Sequence, residues 1–361
     1  MLHTKKNIGF FTVGLLSYSG AALQALKVAG ELEGYSVLFF NKEPAAHLFR
    51  YKTAQLGDHK VIVLPKFLPF RFFTIAGYIV KYGIRICHFH CFVIRNMLPC
   101  LLLGRKIILK TTLMGEDDLD TQIGDRRKLP LRFILSKISY NVVLTKNLQR
   151  INQKYLPREK VKVVYNGITV QDAPAPKEGN IFCSIGLVCP RKRTWHAIQY
   201  FSQHYARLPG ARLYIIGPND TSSGLSEFSQ EYYDSCTDLV RRNNLQSQVI
   251  FTGKLPLPDV FKLCRQAKGT IFLSSKEGFP NGILEAMSFN CVPLISPMDG
   301  VAEEMIADGT DGYIIADETR GISIEDIDRI SRSENAYKRV NRFFSIRTTA
   351  AMLSELYDRI S

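Results

Sequence analysis

The 361-residue chain has no run of about eighteen apolar residues, so it contains no candidate membrane-spanning helix. It has no internal repeat and no low-complexity segment. Its eight cysteines (Cys87, Cys91, Cys100, Cys183, Cys189, Cys236, Cys264 and Cys291) form no CxxC pair and fall mostly inside apolar runs. A disulfide framework is thereby set aside, and reduced, buried thiols of a cytosolic protein are expected. Acid is scarce in one half only. Residues 1–175 carry 26 Lys+Arg against 11 Asp+Glu, whereas residues 176–361 carry 21 against 22, so the whole excess of +14 lies in the first half. A one-sided basic field favours an anionic partner such as a membrane surface or a phosphorylated acceptor. Nucleic acid is set aside because no recognition motif accompanies the charge.

What is present is an alternation of short apolar runs with helical patterns. Lys5-Lys6 before Ile8 to Leu16 imitates a signal peptide. It reads better as a first buried strand, Ile8 to Val13, because cleavage near Ser17 would delete the opening unit of the pattern. A Gly/Ser turn from Gly14 to Gly20 leads into a helix over Ala21 to Leu32, with Gly34 as its stop. Further strands are predicted at Ser36 to Phe40, Val61 to Leu64, Ile86 to Phe92, Ile107 to Thr111 and Asn141 to Thr145. Pro174, Pro176 and Gly179 mark a linker. The pattern then restarts with strands at Ile181 to Ile185, Arg212 to Ile216, Gln248 to Phe251, Gly269 to Leu273, Val292 to Ile295 and Gly312 to Ile315. A helix is expected over Thr194 to Tyr205 and a polar helical tail over Ser331 to Ile360. The fold class is α/β, with two doubly wound, Rossmann-like halves. The expected domains are 1–172, a hinge over 173–180, 181–335, and a C-terminal helix over 336–361.

Ligands of doubly wound sheets sit outside the carboxyl ends of the strands. The strongest candidate there is Ser274 to Met287, which follows the predicted strand ending at Leu273. Its Gly278-Phe279-Pro280-Asn281-Gly282 loop enters a helix near Ile283, and amides at such a junction bind phosphate. Glu277 and Glu285 bracket the loop. A carboxylate on the first helical turn can hold the two hydroxyls of a ribose; on spacing alone the pair reads equally as a cap and a solvated helix residue.

The segment resembles the EX7E motif of retaining glycosyltransferases, glycosyltransferase family 4 above all, in which two glutamates flank a Gly-Phe-Pro loop leading into Leu-Glu-Ala-Met. Val292-Pro293-Leu294-Ile295-Ser296, Glu304 to Gly309, Gly312 to Ile315, Tyr165-Asn166-Gly167-Ile168, Gly217-Pro218 and Phe251-Thr252-Gly253 are similar to further family landmarks. The resemblance implies the two-domain GT-B fold, two Rossmann-like domains facing across a cleft, with the last helix returning to the first domain. It implies that Glu285 holds the donor ribose and that Glu277 lies near the sugar and diphosphate. Gly278, Phe279, Asn281 and Gly282 would line that loop, with the amides of Phe279, Asn281 and Gly282 contacting sugar and phosphate. Gly253 and Leu255 would meet the base. Lys192 matches the family's phosphate lysine, a fixed cation for the leaving diphosphate. The family arginine before it is absent, since Leu187 stands there; Arg191 or Arg193 is the expected substitute, with a solvated basic turn as the alternative. Gly20 would belong to a glycine loop near the diphosphate.

His90, in Cys87-His88-Phe89-His90-Cys91, is assigned to the acceptor side of the active site. Strand alternation turns the cysteines away from the histidines, which argues against a metal. Asp117 and Asp118, in a DxD-containing stretch, are read as acceptor-side contacts and not as a metal site. Lys66 to Phe73 mixes bases with aromatics. With Arg126, Arg127, Lys128 and Arg132 it reads either as a docking face for a lipid-linked acceptor or as a helix packed on the sheet.

The resulting expectation is a retaining glycosyltransferase with a nucleoside diphosphate sugar as donor, a glycan or lipid-linked acceptor, and no metal or other cofactor. It would be cytoplasmic, at the inner face of a membrane with an anionic surface. The alternatives are a GT-B nucleotide-sugar epimerase and a non-catalytic nucleotide-sugar-binding module.

Overall fold

The computed structural model describes residues 5–16, 20–124, 129–171, 177, 179–220 and 227–361. The chain divides into two compact units, residues 1–167 with 346–361, and residues 168–345. The boundary therefore falls between Gly167 and Ile168, ahead of the expected hinge. The tail does not form one terminal element. Its first helices stay with the second unit, and only residues from Ile346 onward belong to the first.

The first unit runs β1 (Lys6–Val13), α1 (Gly20–Glu31), β2 (Tyr35–Lys42), β3 (Lys52–Leu56), β4 (His59–Val63), α2 (Leu68–Lys81), β5 (Ile86–Phe89), α3 (Met97–Leu102), β6 (Lys106–Thr111), α4 (Leu119–Ile123), α5 (Leu129–Ser136), β7 (Tyr140–Val143), α6 (Lys146–Asn152) and β8 (Val161–Val163). Its sheet order is β3-β4-β2-β1-β5-β6-β7-β8, parallel except for β3 against β4. Of the β3–β4 hairpin the sequence reading found β4, as Val61 to Leu64, and missed β3. The hairpin turn is Gly57-Asp58, and its first strand, Lys-Thr-Ala-Gln-Leu, is mostly exposed and lacks an apolar run. Steps outward from β1 occur in both directions. Right-handed crossovers then put α1 on one face and α2, α3 and α5 on the other.

The second unit runs β9 (Ile181–Ile185), α7 (Thr194–His204), β10 (Arg212–Ile216), α8 (Gln230–Arg242), β11 (Val249–Gly253), α9 (Leu257–Gln266), β12 (Gly269–Phe272), α10 (Asn281–Ser288), β13 (Val292–Ile295), α11 (Ala302–Met305), β14 (Tyr313–Ile314), α12 (Ile324–Ser333) and α13 (Asn335–Phe343). The last helix, α14 (Ile346–Asp358), packs against α1 in the first unit. The second sheet is wholly parallel, in the order β11-β10-β9-β12-β13-β14. Buried strands such as Ile271, Leu294 and Ile295 read as continuous apolar runs because helices cover both faces.

Each sheet has one place where the strand order reverses, between β1 and β5 in the first and between β9 and β12 in the second. The crevice of a doubly wound sheet opens there, at the carboxyl ends. All eight cysteines are free; seven are buried and Cys91 is half-buried. No helix among the described residues is long and apolar enough to cross a membrane.

Candidate functional site

In the second unit the chain leaves β9 and β12 at adjacent points of the reversal. The exit of β12 is Leu273-Ser274, fully buried, followed by a loop that closes on the turn Cys189 to Arg193. The carbonyl of Arg191 accepts from the Ser275 amide at 2.9 Å, and the Ser274 Oγ lies 3.0 Å from the same oxygen. This lacing brings Glu277 between two cations. Its Oε1 accepts from Lys192 Nζ at 2.6 Å, Arg191 Nη1 at 2.8 Å and Ser274 Oγ at 2.8 Å. The Glu277 side chain is 10% exposed and Lys192 is 17% exposed, so the charges are held in a partly desolvated place. There an unpaired charge costs several kcal/mol, on the order of 3–5 when one partner of a buried pair is removed.

The backbone around this cluster is fitted to it. Gly217 has φ +148°, and a Cβ there would lie 2.1 Å from the Gly186 oxygen, so only glycine lets the β9 and β10 exits touch. The stem of Lys192 runs past Gly186, 3.4 Å from where its Cβ would stand, and the ammonium sits 4.8 Å from the centre of the Phe272 ring. Gly217 N donates to Gly253 O at 3.1 Å, tying the β11 exit to the same edge. At Gly282 a Cβ would meet Ile185 at 3.2 Å, so glycine allows the start of α10 to lie on the end of β9. Glu285 is half-buried one turn further along α10, four residues after Asn281 and therefore on the same side of the helix.

The two expected substitutes for the missing arginine separate. Arg191 lies on Glu277 and also donates Nε to Glu227 at 2.7 Å. That guanidinium holds the Glu227 carboxyl below the usual carboxylate range. Arg193 pairs instead with Glu318 at 2.8 Å, and its left-handed backbone, φ +51°, starts α7. Leu255 is half-buried against the core under α9, next to the Gly253 turn. Phe279 is buried, its ring centre 5.4 Å from that of Phe344. Gly278 is half-buried in the loop. Glu227 gave no local signal in the sequence, because its role depends on a tertiary contact with Arg191. Ser274 was within the motif and was passed over as a loop residue.

In the first unit the β5 exit carries His90, fully buried, with neither ring nitrogen hydrogen-bonded. Its ring lies 4.1 Å from that of His88, as expected for two residues on one face of a strand. The His88 Nδ1 meets Tyr357 Oη of α14 at 2.7 Å. Burial holds both imidazoles well below their usual range, with Lys110 adding to the effect. Lys110 itself is buried on β6, bonds Asn166 Oδ1 at 2.9 Å, and is pushed down to about 8 by burial. A lysine inside the apolar run Ile107 to Thr111 was the available signal for it. The loop after β1 is held by Asn41 and Glu43, which accept from the amides of Leu15 (3.1 Å) and Leu16 (2.7 Å). Gly20 opens α1, exposed, with open space where a Cβ would stand; Tyr18 and Ser19 lie outside the described residues.

The two aspartates turn inward to their own loop. Asp118 caps α4 by accepting from Thr121 N at 2.9 Å, and Asp117 accepts from Thr112 N at 2.9 Å and Leu113 N at 2.7 Å. Both carboxylates thus satisfy local backbone donors. Among the described residues no group of three or more His, Cys, Asp or Glu stands where it could hold a metal ion. Arg126, Arg127 and Lys128 lie outside the described residues. In the Lys66 to Phe73 stretch, Arg71 is buried and donates to Pro65 O and Lys66 O at 2.8 Å, so it is a structural cation, while Phe67, Phe70 and Phe73 are exposed.

Residues 168–343 match the family described as Glycosyl transferases group 1. An uncharacterized glycosyltransferase of Methanocaldococcus jannaschii is 29% identical over 161 residues, which cover 45% of this chain and 33% of that protein. The chain thus spans about a third of this relative's length. Among solved structures, sucrose-phosphate synthase of Thermosynechococcus elongatus superposes with a TM-score of 0.77 at 16% identity, covering 99% of each chain. The HepE protein of Anabaena, in complex with UDP and glucose, does so with a TM-score of 0.74 at 14% identity, covering 98% of this chain and 100% of that one. The fold is that of the GT-B structures, two parallel-sheet, Rossmann-like domains, and the family match falls on the second of them.

Proposed function

We propose that this chain, whose residues 168–343 match the glycosyltransferase group 1 family, transfers a sugar from a nucleoside diphosphate sugar to a hydroxyl group, with retention at the anomeric carbon, in the manner of glycosyltransferase family 4. The observation that carries the reading is the Lys192–Glu277–Arg191 cluster at the strand-order reversal. Two cations on a half-buried surface beside a helix start suit a diphosphate, whose charge grows as the sugar leaves. Glu277 holds them in place while the site is empty. Arg191 takes the part of the arginine missing at Leu187. Glu285 takes the ribose hydroxyls, and the Phe279, Asn281 and Gly282 amides take sugar and phosphate. The Gly253 turn and Leu255 face the base.

In the transfer the acceptor oxygen bonds to the anomeric carbon as the bond from that carbon to the phosphate oxygen breaks. The electron pair goes to the diphosphate, and the hydroxyl proton passes to a phosphate oxygen. Lys192 and Arg191 stabilise the developing charge, so this reading needs no metal. The acceptor is proposed to be a lipid-linked or surface glycan, reached from the cytoplasmic side. In the first unit, His90 keeps its proposed place at the acceptor, whereas Asp117 and Asp118 act by shaping their loop.

The test is thermal stabilisation by UDP, GDP and ADP and their sugars, on wild type and Glu285→Ala. A ligand that binds only the folded state raises its melting temperature. Stabilisation of wild type by one nucleotide, lost in the variant, supports the assignment and identifies the base. No stabilisation by any of them overturns it.

A further inference from the structure

We infer that the first unit docks on an anionic bilayer through a groove between α3 and α5, at the end of its sheet away from the strand exits. The groove has a volume of about 580 Å³. Its apolar lining includes Leu98, Leu102 and Phe133, and Arg105, Lys106 and Lys137 line it as well. No acidic residue lines it. Leu102 is 68% exposed and Phe133 is 64% exposed, so apolar surface and cations share one face here. The Nε of Arg105 is buried with no hydrogen-bond partner among the described residues.

The cations extend beyond the groove. Parallel strands begin at one edge of a sheet, and here three adjacent beginnings are basic: Lys5 and Lys6 at β1, Arg85 before β5, and Arg105 and Lys106 at β6, whereas Glu33 precedes β2 and Asp58 precedes β4. Lys106 N donates to Arg85 O at 2.9 Å, so the row is continuous where β5 and β6 meet. Lys6 is paired with Asp358 at 3.2 Å; an apolar partner surface would leave Arg85, Arg105 and Lys106 without counter-charge, and a free phosphate would leave the apolar lining wet. An anionic lipid supplies both an acyl chain and a phosphate, and a bilayer presents many such lipids to the row. This surface is distinct from the Phe49, Phe67 and Phe70 ring cluster, which sits at the start of α2, by the strand exits.

The experiment is sedimentation with phosphatidylcholine vesicles, with and without phosphatidylglycerol. The full chain is compared as wild type, as Leu102→Asp/Phe133→Asp, as Arg105→Gln/Lys106→Gln/Lys137→Gln, and as Phe49→Ser/Phe67→Ser/Phe70→Ser. Wild type should sediment only with the anionic vesicles. Both groove variants should bind at least tenfold more weakly, with unchanged melting temperatures and unchanged nucleotide stabilisation, and the ring-cluster variant should bind like wild type. Absence of wild-type binding to anionic vesicles overturns the inference, as does a loss confined to the ring-cluster variant. Because nucleotide stabilisation is read separately, failure here is distinguishable from failure of the donor-site reading.

Discussion

The two units share a plan, a doubly wound sheet reversing at one point, yet they treat charge in opposite ways. The first unit, by its sequence, carries 28 Lys+Arg against 12 Asp+Glu, and the second carries 19 against 21. In the second unit the less exposed cations have carboxylate partners: Lys192 and Arg191 with Glu277, Lys268 with Asp328, and Arg339 with Asp311. In the first unit the described ion pairs are at the surface, such as Lys6 with Asp358, while the buried Lys110 rests on an amide and His90 on nothing polar. The difference teaches that a buried charge here marks a position, not a stabilising contact. In one unit it is held against a carboxylate; in the other burial itself pushes the pKa down, to about 8 for Lys110.

The comparison breaks most visibly at Lys192. Replacing it with alanine should lower the turnover of sugar transfer about 10²- to 10³-fold, the loss expected when one fixed donor to a leaving-group charge is removed. Steady-state release of nucleoside diphosphate measures it, and a fall of less than tenfold would show that Arg191 carries the charge alone. Next is Glu277→Gln, which leaves Lys192 and Arg191 side by side without their shared carboxylate. A loss of about 3 kcal/mol in urea unfolding is expected, at the low end for breaking a buried pair because Glu227 still holds Arg191. Saturating nucleoside diphosphate should recover part of it.

Lys110 sharpens the contrast from the other side. Its folded pKa, pushed down to about 8, is lower than in the unfolded chain, about 10.4. The unfolded state therefore binds more protons between these values, and the wild type gains stability as pH rises through that window. The stability of Lys110→Met relative to wild type should accordingly be more favourable at pH 7 than at pH 10.5, by up to about 3 kcal/mol. A difference independent of pH would mean that Lys110 is not desolvated. His90 works in the acid direction. Its pKa is depressed on folding, so the unfolded chain takes up protons first as pH falls below about 6.5, and stability falls there. His90→Phe should flatten that part of the unfolding curve between pH 7 and 5. The smallest effect belongs to the surface: Arg347→Ala, at a side chain 87% exposed, should leave the melting temperature unchanged within error.

Legibility followed burial. The wholly buried β13 and the largely apolar β9 and β10 matched their predicted limits because an apolar run between turn residues has few other uses. The exposed hairpin strand β3 and the three-residue β8 carried no such run and were missed. The Ser274 to Met287 segment was readable because its glycines, proline and glutamates have to sit in a fixed order along the backbone. Glu227, 36 residues from the Arg191 it meets, has no order of that kind to betray it. Asp117 and Asp118 have a second use that spacing does not show: the same side chains that can bind a ligand also satisfy the free amides of a loop and a helix start.

The sequence by itself determined the two α/β halves, the one-sided charge and the loop at which a phosphate site can form, because period, charge and backbone order are properties of neighbouring residues. Only the tertiary structure decided that Arg191 and not Arg193 shares Glu277 with Lys192, and that Glu227 meets Arg191. It alone gathered the first unit's cations into a row beside an apolar groove. Those outcomes depend on which strand ends become adjacent once the sheet order reverses, and distance in space after folding is not written in spacing along the chain.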